Sequence, residues 1–410
     1  MPTTIVTSTA ATATGVGPGR RVDRCQNGVL WAFPNVTATS WRPQYSSDNG
    51  ATWTQDTAQS GVTNASVFID LDDYCHVVWT QSGSTGPNGA SLNDGDLLYM
   101  RGTPNAGRTA WTWSAATVFG SASNGFDYPD VVAHREGTGW AAHIVFSRAT
   151  SFPSNYVYYS KVAITSAGVI TQDTATFISA NYGINAHTYP TIDFQHTGDG
   201  KTVAGGTPHL YVGWTAGTTG AGKGIRFRKA VYSAGAWTWN AEREIDNTRY
   251  QQSTVDWLNC IFDGARVLIT GLGYTAASAR DIILHERDAA DTTTTTRTLL
   301  AGAAGTDFLS TGSATYDGSA NVYLFGRDNT GGSGTYKINY RKWTRATATL
   351  GAIVTLDATG PDLPYISAKR GYSNSRIEII RTDGTTSPYN VVYDSITVEP
   401  LRPYVPAMMP

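Results

Sequence analysis

Cysteine and glutamate are scarce in this chain, lysine is rare beside arginine, and long apolar runs are missing. The three cysteines, Cys25, Cys75 and Cys260, stand far apart. That spacing provides neither a disulfide framework nor a CxxC metal pair. They are expected as buried small apolar residues, one on a strand in each of three repeat units, ahead of a bridge or a ligand. A formal net charge of −2 excludes the basic footprint of a nucleic-acid binder and a polybasic face for anionic membranes. No run is long enough to insert across a bilayer. The N-terminus, MPTTIVTSTAATATG, lacks the basic start and continuous apolar core of a signal peptide. Long helical patterns of Ala, Leu, Glu and Lys are also lacking, which excludes a helical fold.

What is present points to strands. The chain has 22 Tyr, 12 Trp, 12 Phe and 43 Gly in 410 residues. Thr, Val, Tyr and Trp recur at alternating positions between Gly-rich turns. An aromatic-rich strand repeats down the chain, centred on Tyr45, Tyr99, Tyr159, Phe227, Leu284, Tyr340 and Val392. Each has a near-continuous apolar partner before it, such as CHVVWT (75–80) or HLYVGWT (209–215). Before that lies a further strand, as in RRVDRC, YPDVVAH or YPTIDFQ. Outer strands such as TWTQD and WTWSAATVF follow the anchors in six units and fail after the seventh. Several short strands repeated at this kind of spacing mark a propeller.

The segment 4–12, TIVTSTAAT, is a spare strand, and it is expected to supply the missing outer strand and close the ring. The fold predicted is therefore all-β: a seven-bladed β-propeller closed by the N-terminal strand, with a six-bladed ring as the alternative. Residues 1–399 form one domain in this scheme. Its blades lie near 15–60, 61–120, 121–180, 181–247, 248–303, 304–359 and 360–399, the last completed by 4–12. Residues 400–410 are a Pro-rich tail suited to docking on a larger assembly. The Gly-, Ser- and Thr-rich insertions at 81–96, 149–156, 197–208 and 216–224 are expected to crowd one face and carry whatever is bound.

The stretch Gln44 to Trp53, QYSSDNGATW, reads Ser46-x-Asp48-x-Gly50-x-Thr52-Trp53. Asp48 and Asn49 suit a tight turn, Gly50 tolerates positive φ, and the Trp53 indole can cover the hairpin. This spacing resembles the Asp-box, the hairpin signature of sialidase-like β-propellers. The resemblance implies the fold over nearly the whole chain. It does not extend to an active site. A sialidase would carry an arginine triad, a Tyr nucleophile with a Glu partner and an Asp acid. Arg21 matches the first arginine, but Val22-Asp23 follows it where the family has an apolar residue and Pro. The other two arginines and the Tyr–Glu pair do not assemble.

In a propeller the innermost strands line the axis. Candidates there are Arg20, Arg21 and Asp23; Asp127, Tyr128 and Asp130; His187, Tyr189 and Asp193; Arg249, Tyr250 and Asp256; and Tyr365. Together they could grip an acidic sugar or run acid–base chemistry. Asp23, Asp70, Asp193 and Asp256 recur at one position and are expected to bond backbone of the next blade. His76, His143 and His209 recur at the starts of second strands and are expected as hydrogen-bonded structural residues, not metal ligands. His187 with Tyr189, and Asp127 with Tyr128, break the repeat and are the better functional candidates.

Propeller lyases use a His and a Tyr for proton abstraction beside a neutralised uronate, so His187, Tyr189, Arg249 and Asp127 are the candidates if the chain is an enzyme. Arg21, Asp127, Tyr128, His187, Tyr189, Arg249, Tyr250 and Tyr365 are the candidates for ligand contact. Trp41, Trp111, Trp113, Trp237 and Trp239 could stack on sugar rings or pack blades together. The favoured function is non-catalytic recognition of a carbohydrate or cell-surface receptor, by a virion tail or other extracellular protein that meets partner virion proteins through its tail. A glycosidase or polysaccharide lyase acting on an acidic glycan is the alternative, and a structural spacer the third. No cofactor or metal is expected; a structural Ca²⁺ would have no motif behind it.

Overall fold

The computed structural model describes residues 2–398 apart from 15–18, 58, 85–92, 121–125, 149–155, 181–188, 198, 206, 217–223, 247–258, 263–265, 277–278, 289–290, 292–293, 301–307, 318–320, 329–335, 361–365, 372–374 and 385. His187, Arg249, Tyr250, Asp256, Tyr365 and the tail 400–410 lie outside the described residues.

The fold is an all-β propeller. Among the described residues there are seven antiparallel sheets of four or five strands and one small three-stranded sheet. Sheet 1 runs outward from Val22–Arg24 through Leu30–Ala32 and Gln44–Ser46 to Thr54–Gln55. Sheets 2 to 7 begin at Val62–Ile69, Phe126–Glu136, Thr191–Phe194, Asn259–Phe262, Phe308–Tyr316 and Ile366–Ala368. These innermost strands neighbour one another in turn, and the seventh sheet returns to the first. The small sheet joins Asn35–Thr37, Ser40–Trp41 and Gln59–Ser60 beside sheet 1. It has no counterpart in the sequence pattern.

Ring closure follows the expectation. Thr3–Ser8 pairs antiparallel with Tyr389–Thr397, in the register Thr3 to Tyr393 and Ser8 to Tyr389, and becomes the outer strand of sheet 7. The second strands are largely apolar because both faces are covered: Cys75–Gln81 is buried at every position. Outer strands differ from the simple expectation. In sheets 2, 3, 4 and 6 they break into two short pieces that pair with the same third strand, as Trp111–Trp113 and Thr117–Gly120 do with Leu97–Pro104. In sheet 5 the described part of the innermost strand is Asn259–Phe262, and most of the STVDWLN pattern lies outside the described residues.

Adjacent sheets are cemented by aromatics. Trp31 of sheet 1 meets Trp111 of sheet 2 with ring centroids 5.0 Å apart, and Trp41 meets Trp113 at 5.9 Å. Trp31 and Trp41 are fully buried, which stabilises each seam by roughly 2–3 kcal/mol per ring. Of the two readings for Trp41 and Trp111, stacking on sugar or packing blades, the second holds: both are core. All three cysteines are buried and unbridged, and Cys25 lies just beyond its strand.

At the hub, short polar side chains take the place of a backbone ladder between sheets. Arg21 N donates to Ser367 Oγ (2.7 Å), Ala368 N to Ser313 Oγ (3.2 Å) and Ile192 N to Asp130 Oδ2 (3.0 Å). Asp23 accepts Ile69 N of sheet 2, and Asp193 accepts Phe262 N of sheet 5, each at 2.8 Å. These two behave as the repeat predicted. Asp70 does not: it closes its own turn on Asp72 N and Tyr74 N and bonds His76 at 3.0 Å.

The axis is filled at this level. Arg370 of sheet 7 crosses to Asp130 of sheet 3 (3.2 Å) and Asp193 of sheet 4 (3.4 Å). Arg20 donates to Ser313 Oγ, Ala314 O and Ala368 O within 3.0 Å. Burial, and then its neighbour Arg370, lower the Arg20 pKa to about 10. The insertion 197–208 also departs from expectation. It folds back on itself through a His196–Val203 bridge and enters the hub. Lys201 Nζ donates to Arg24 O (2.5 Å) and lies 3.4 Å from Asp23. An ammonium with two nearby acceptors can be buried where an unpaired one cannot, so Lys201 anchors this loop in the hub.

Candidate functional site

Two places gather polar and aromatic side chains away from these packing roles. The first is the start of the innermost strand of sheet 3, where a bulge interrupts pairing between Asp127 and Asp130. There Tyr128 is forced to φ 52°, and Asn64, facing it on sheet 2, has φ 42°. Left-handed backbone at non-glycine residues is stored strain of the kind that marks functional positions. Asn64 Nδ2 donates to Asp127 Oδ1 (2.6 Å), as do Tyr128 N (2.8 Å) and Thr80 Oγ1 (3.3 Å). Burial raises the pKa of the Asp127 carboxyl despite these three donors. Tyr189 enters the same cluster, edge-on to Tyr128 with centroids 4.6 Å apart, and is itself buried. The structure thus brings together Asp127, Tyr128 and Tyr189 and adds Asn64 and Thr80, which the sequence did not single out.

Arg21 is not in this group. It is 1% exposed, and its guanidinium donates to Ala65 O (2.9 Å), Phe33 O (3.2 Å) and Asn35 Oδ1 (2.7 Å). The expectation of ligand contact gives way to a clamp between sheets 1 and 2, because its donors are engaged by groups that cannot move.

The second place is a cleft of about 380 Å³ where sheets 3 and 4 meet, lined by Tyr159, Lys161, Asp173, Thr176, Trp237 and Trp239 among others. Trp239 stands edge-on to Tyr159 at 5.0 Å. Trp237 donates its indole N–H to Glu136 Oε1 (2.8 Å) and sits T-shaped on His143 at 4.9 Å. Both tryptophans pack against the preceding sheet, as Trp111 and Trp113 do, yet both stay half-buried beside exposed Asp173. Nine residues of one strand separate Glu136 from Asp127. Tyr159 of the cleft, however, is level with Asp130, two strands across through Val145.

No protein-family model and no curated protein matches this chain. Solved structures do share its shape. One is a polysaccharide lyase of a family named PL25, an ulvan lyase, with TM-score 0.58 and 8% identity over 97% of this chain and 96% of that one. Another, the polysaccharide lyase Uly1, has TM-score 0.53 and 9% identity over 93% and 90%. The NanB sialidase of Streptococcus pneumoniae reaches 0.48 at 10% identity, over 96% of this chain and 70% of that one. At such identities the likeness is one of fold.

The hub-end cluster has a partly buried carboxyl, two phenols and an amide within reach of one another. Such a set can hydrogen-bond hydroxyls and carboxylates, and a phenol can pass a proton. The cleft presents ring edges beside one cation and one anion, a surface that suits a polar ring-shaped ligand.

Proposed function

We propose that this protein recognises a carbohydrate chain through the hub end that carries Asp127, Tyr128 and Tyr189. The observation that carries this is the strained, partly buried acid–phenol cluster on a propeller whose axis is otherwise plugged. Enzymes named polysaccharide lyases share the fold over almost the full length of both chains, which supports a glycan as the ligand class. One such lyase has been solved bound to a glucuronate–sulfated rhamnose unit, so acidic polysaccharides lead the list to test. Binding would be measured on a panel of uronate polymers, sulfated glycans and sialosides. Asp127→Asn and Tyr189→Phe should each weaken it by about tenfold, roughly 1.4 kcal/mol, with the circular dichroism unchanged. A folded protein that binds nothing on the panel sinks the proposal.

A second proposal, elimination chemistry at the same end, is favoured by the phenol pair Tyr128–Tyr189 and the fold shared with lyases. His187 and Tyr189 would move the proton, and Arg249 would neutralise the uronate. Elimination leaves an unsaturated uronate that absorbs in the ultraviolet. Turnover abolished by His187→Ala or Tyr189→Phe would replace recognition alone with catalysis.

A further inference from the structure

His134, Glu136 and His143 converge inside sheet 3, where sequence pattern alone points to no more than a structural histidine. His134 and Glu136 are two residues apart on one strand, so they share a face. His143 lies on the next strand opposite Val132, on that same face. One ligand atom from each of the three lies within 4.8 Å of the others. Both imidazoles are completely buried, stacked at 4.6 Å.

The hydrogen bonds decide which nitrogen is bare. His134 Nδ1 faces the carbonyl of Arg135 at 3.1 Å, so Nδ1 carries the proton and Nε2 is an unprotonated lone pair. That Nε2 has no hydrogen-bond partner. His143 Nδ1 meets Tyr159 OH at 2.8 Å, and its Nε2 lies 3.3 Å from Glu136 Oε1. Two ligands about 2.0–2.1 Å from a tetrahedral zinc lie roughly 3.3 Å apart. Glu136 is oriented from outside by Trp237 Nε1 on Oε1 and Lys161 Nζ on Oε2 (3.2 Å). A histidine whose second nitrogen is held by a carbonyl or hydroxyl, beside a carboxylate held in turn, is the outer-shell pattern of a metal site.

We propose that His134, Glu136 and His143 bind a divalent cation of the zinc class at the seam of sheets 3 and 4. Two imidazoles and one carboxylate select zinc, cobalt or nickel over calcium and magnesium, and leave a fourth position for water. Through Glu136 the ion secures Trp237, and through His143 it secures Tyr159, both walls of the cleft. The site stands independently of the glycan proposal.

The test uses the full chain, stripped by chelator and then given Zn²⁺ or Co²⁺. One equivalent per chain should be retained, Co²⁺ should show the visible bands of a four- or five-coordinate nitrogen–oxygen site, and Zn²⁺ should displace it. His134→Gln and Glu136→Gln should weaken retention by more than about tenfold; Tyr159→Phe, which keeps the fold and removes one hydroxyl, should weaken it by about tenfold. Folded wild-type protein that retains no ion and gives no cobalt spectrum overturns the proposal. So does retention that His134→Gln, Glu136→Gln and Tyr159→Phe all leave unchanged.

Discussion

Gly50 is needed twice. Its φ is 87°, and a Cβ there would overlap the ring of Tyr393 on the closing sheet. Trp53 meets the same ring edge-on at 5.4 Å. Gly50→Ala should therefore lower stability by about 1–3 kcal/mol in denaturant titration, and an unchanged midpoint would refute this. Asp48 ties the turn together, accepting Thr52 Oγ1 (2.5 Å), Thr52 N (2.9 Å) and Ser46 Oγ (2.7 Å). These bonds lower its carboxyl pKa to about 2. Because the folded value lies below the unfolded one, its contribution is present above about pH 4 and is lost as pH falls toward 2. A carboxyl ¹³C titration of Asp48 with a midpoint near 4 would contradict this. The turn was legible because every bond in it is local. Arg21 was misread because nothing local shows that Phe33, Asn35 and Ala65 surround it.

At the scale of elements, strand Thr3–Ser8 covers what would be the exposed edge of sheet 7. Removing residues 1–8 should lower the unfolding midpoint and cause concentration-dependent self-association in light scattering, since a bare strand edge pairs with other chains. A truncated chain equally stable and monomeric would show that the strand is ornamental. Sheets 1 and 7 are also joined by Arg24 and Glu378, both almost fully buried, with Nε to Oε1 at 2.6 Å. Glu378→Gln should cost about 3–5 kcal/mol because Arg24 is left buried without its counter-charge, and a paired Arg24→Met/Glu378→Leu replacement should cost less. The comparison is a double-mutant cycle in denaturant; a double-variant loss equal to the sum of the two single losses would exclude the pairing. Strand order was legible from apolar periodicity. The divided outer strands were not, because apolar periodicity does not mark where pairing with the third strand is interrupted.

Across the whole molecule the hub is a charged plug assembled from sheets 1, 3, 4 and 7. Arg370 faces Asp130 and Asp193 with its guanidinium fully buried, so Arg370→Met should destabilise by about 3–5 kcal/mol through two uncompensated carboxylates. Burial opposes ionisation of Asp193, but Arg370 and His196 outweigh it and hold its pKa below the ordinary range. Stability from this group is therefore complete above about pH 4 and declines as pH falls below it. Denaturation midpoints measured from pH 6 to pH 3 should fall in wild type more steeply than in Arg370→Met. Parallel slopes would count against the hub as the acid-sensitive part.

The sequence by itself determined the strand repeat, the closing role of the first segment and the local turn at Asp48 and Gly50. Each rests on periodicity or on bonds within a few residues. It also placed Asp127, Tyr128 and Tyr189 as departures from the repeat, and the structure gathers these three. Tertiary structure alone decided that Lys201 anchors segment 197–208 in the hub, that Arg21 is a clamp and that His134 and Glu136 meet His143. Those contacts depend on which side chains from distant strands share one enclosed volume, and one-dimensional spacing does not encode that.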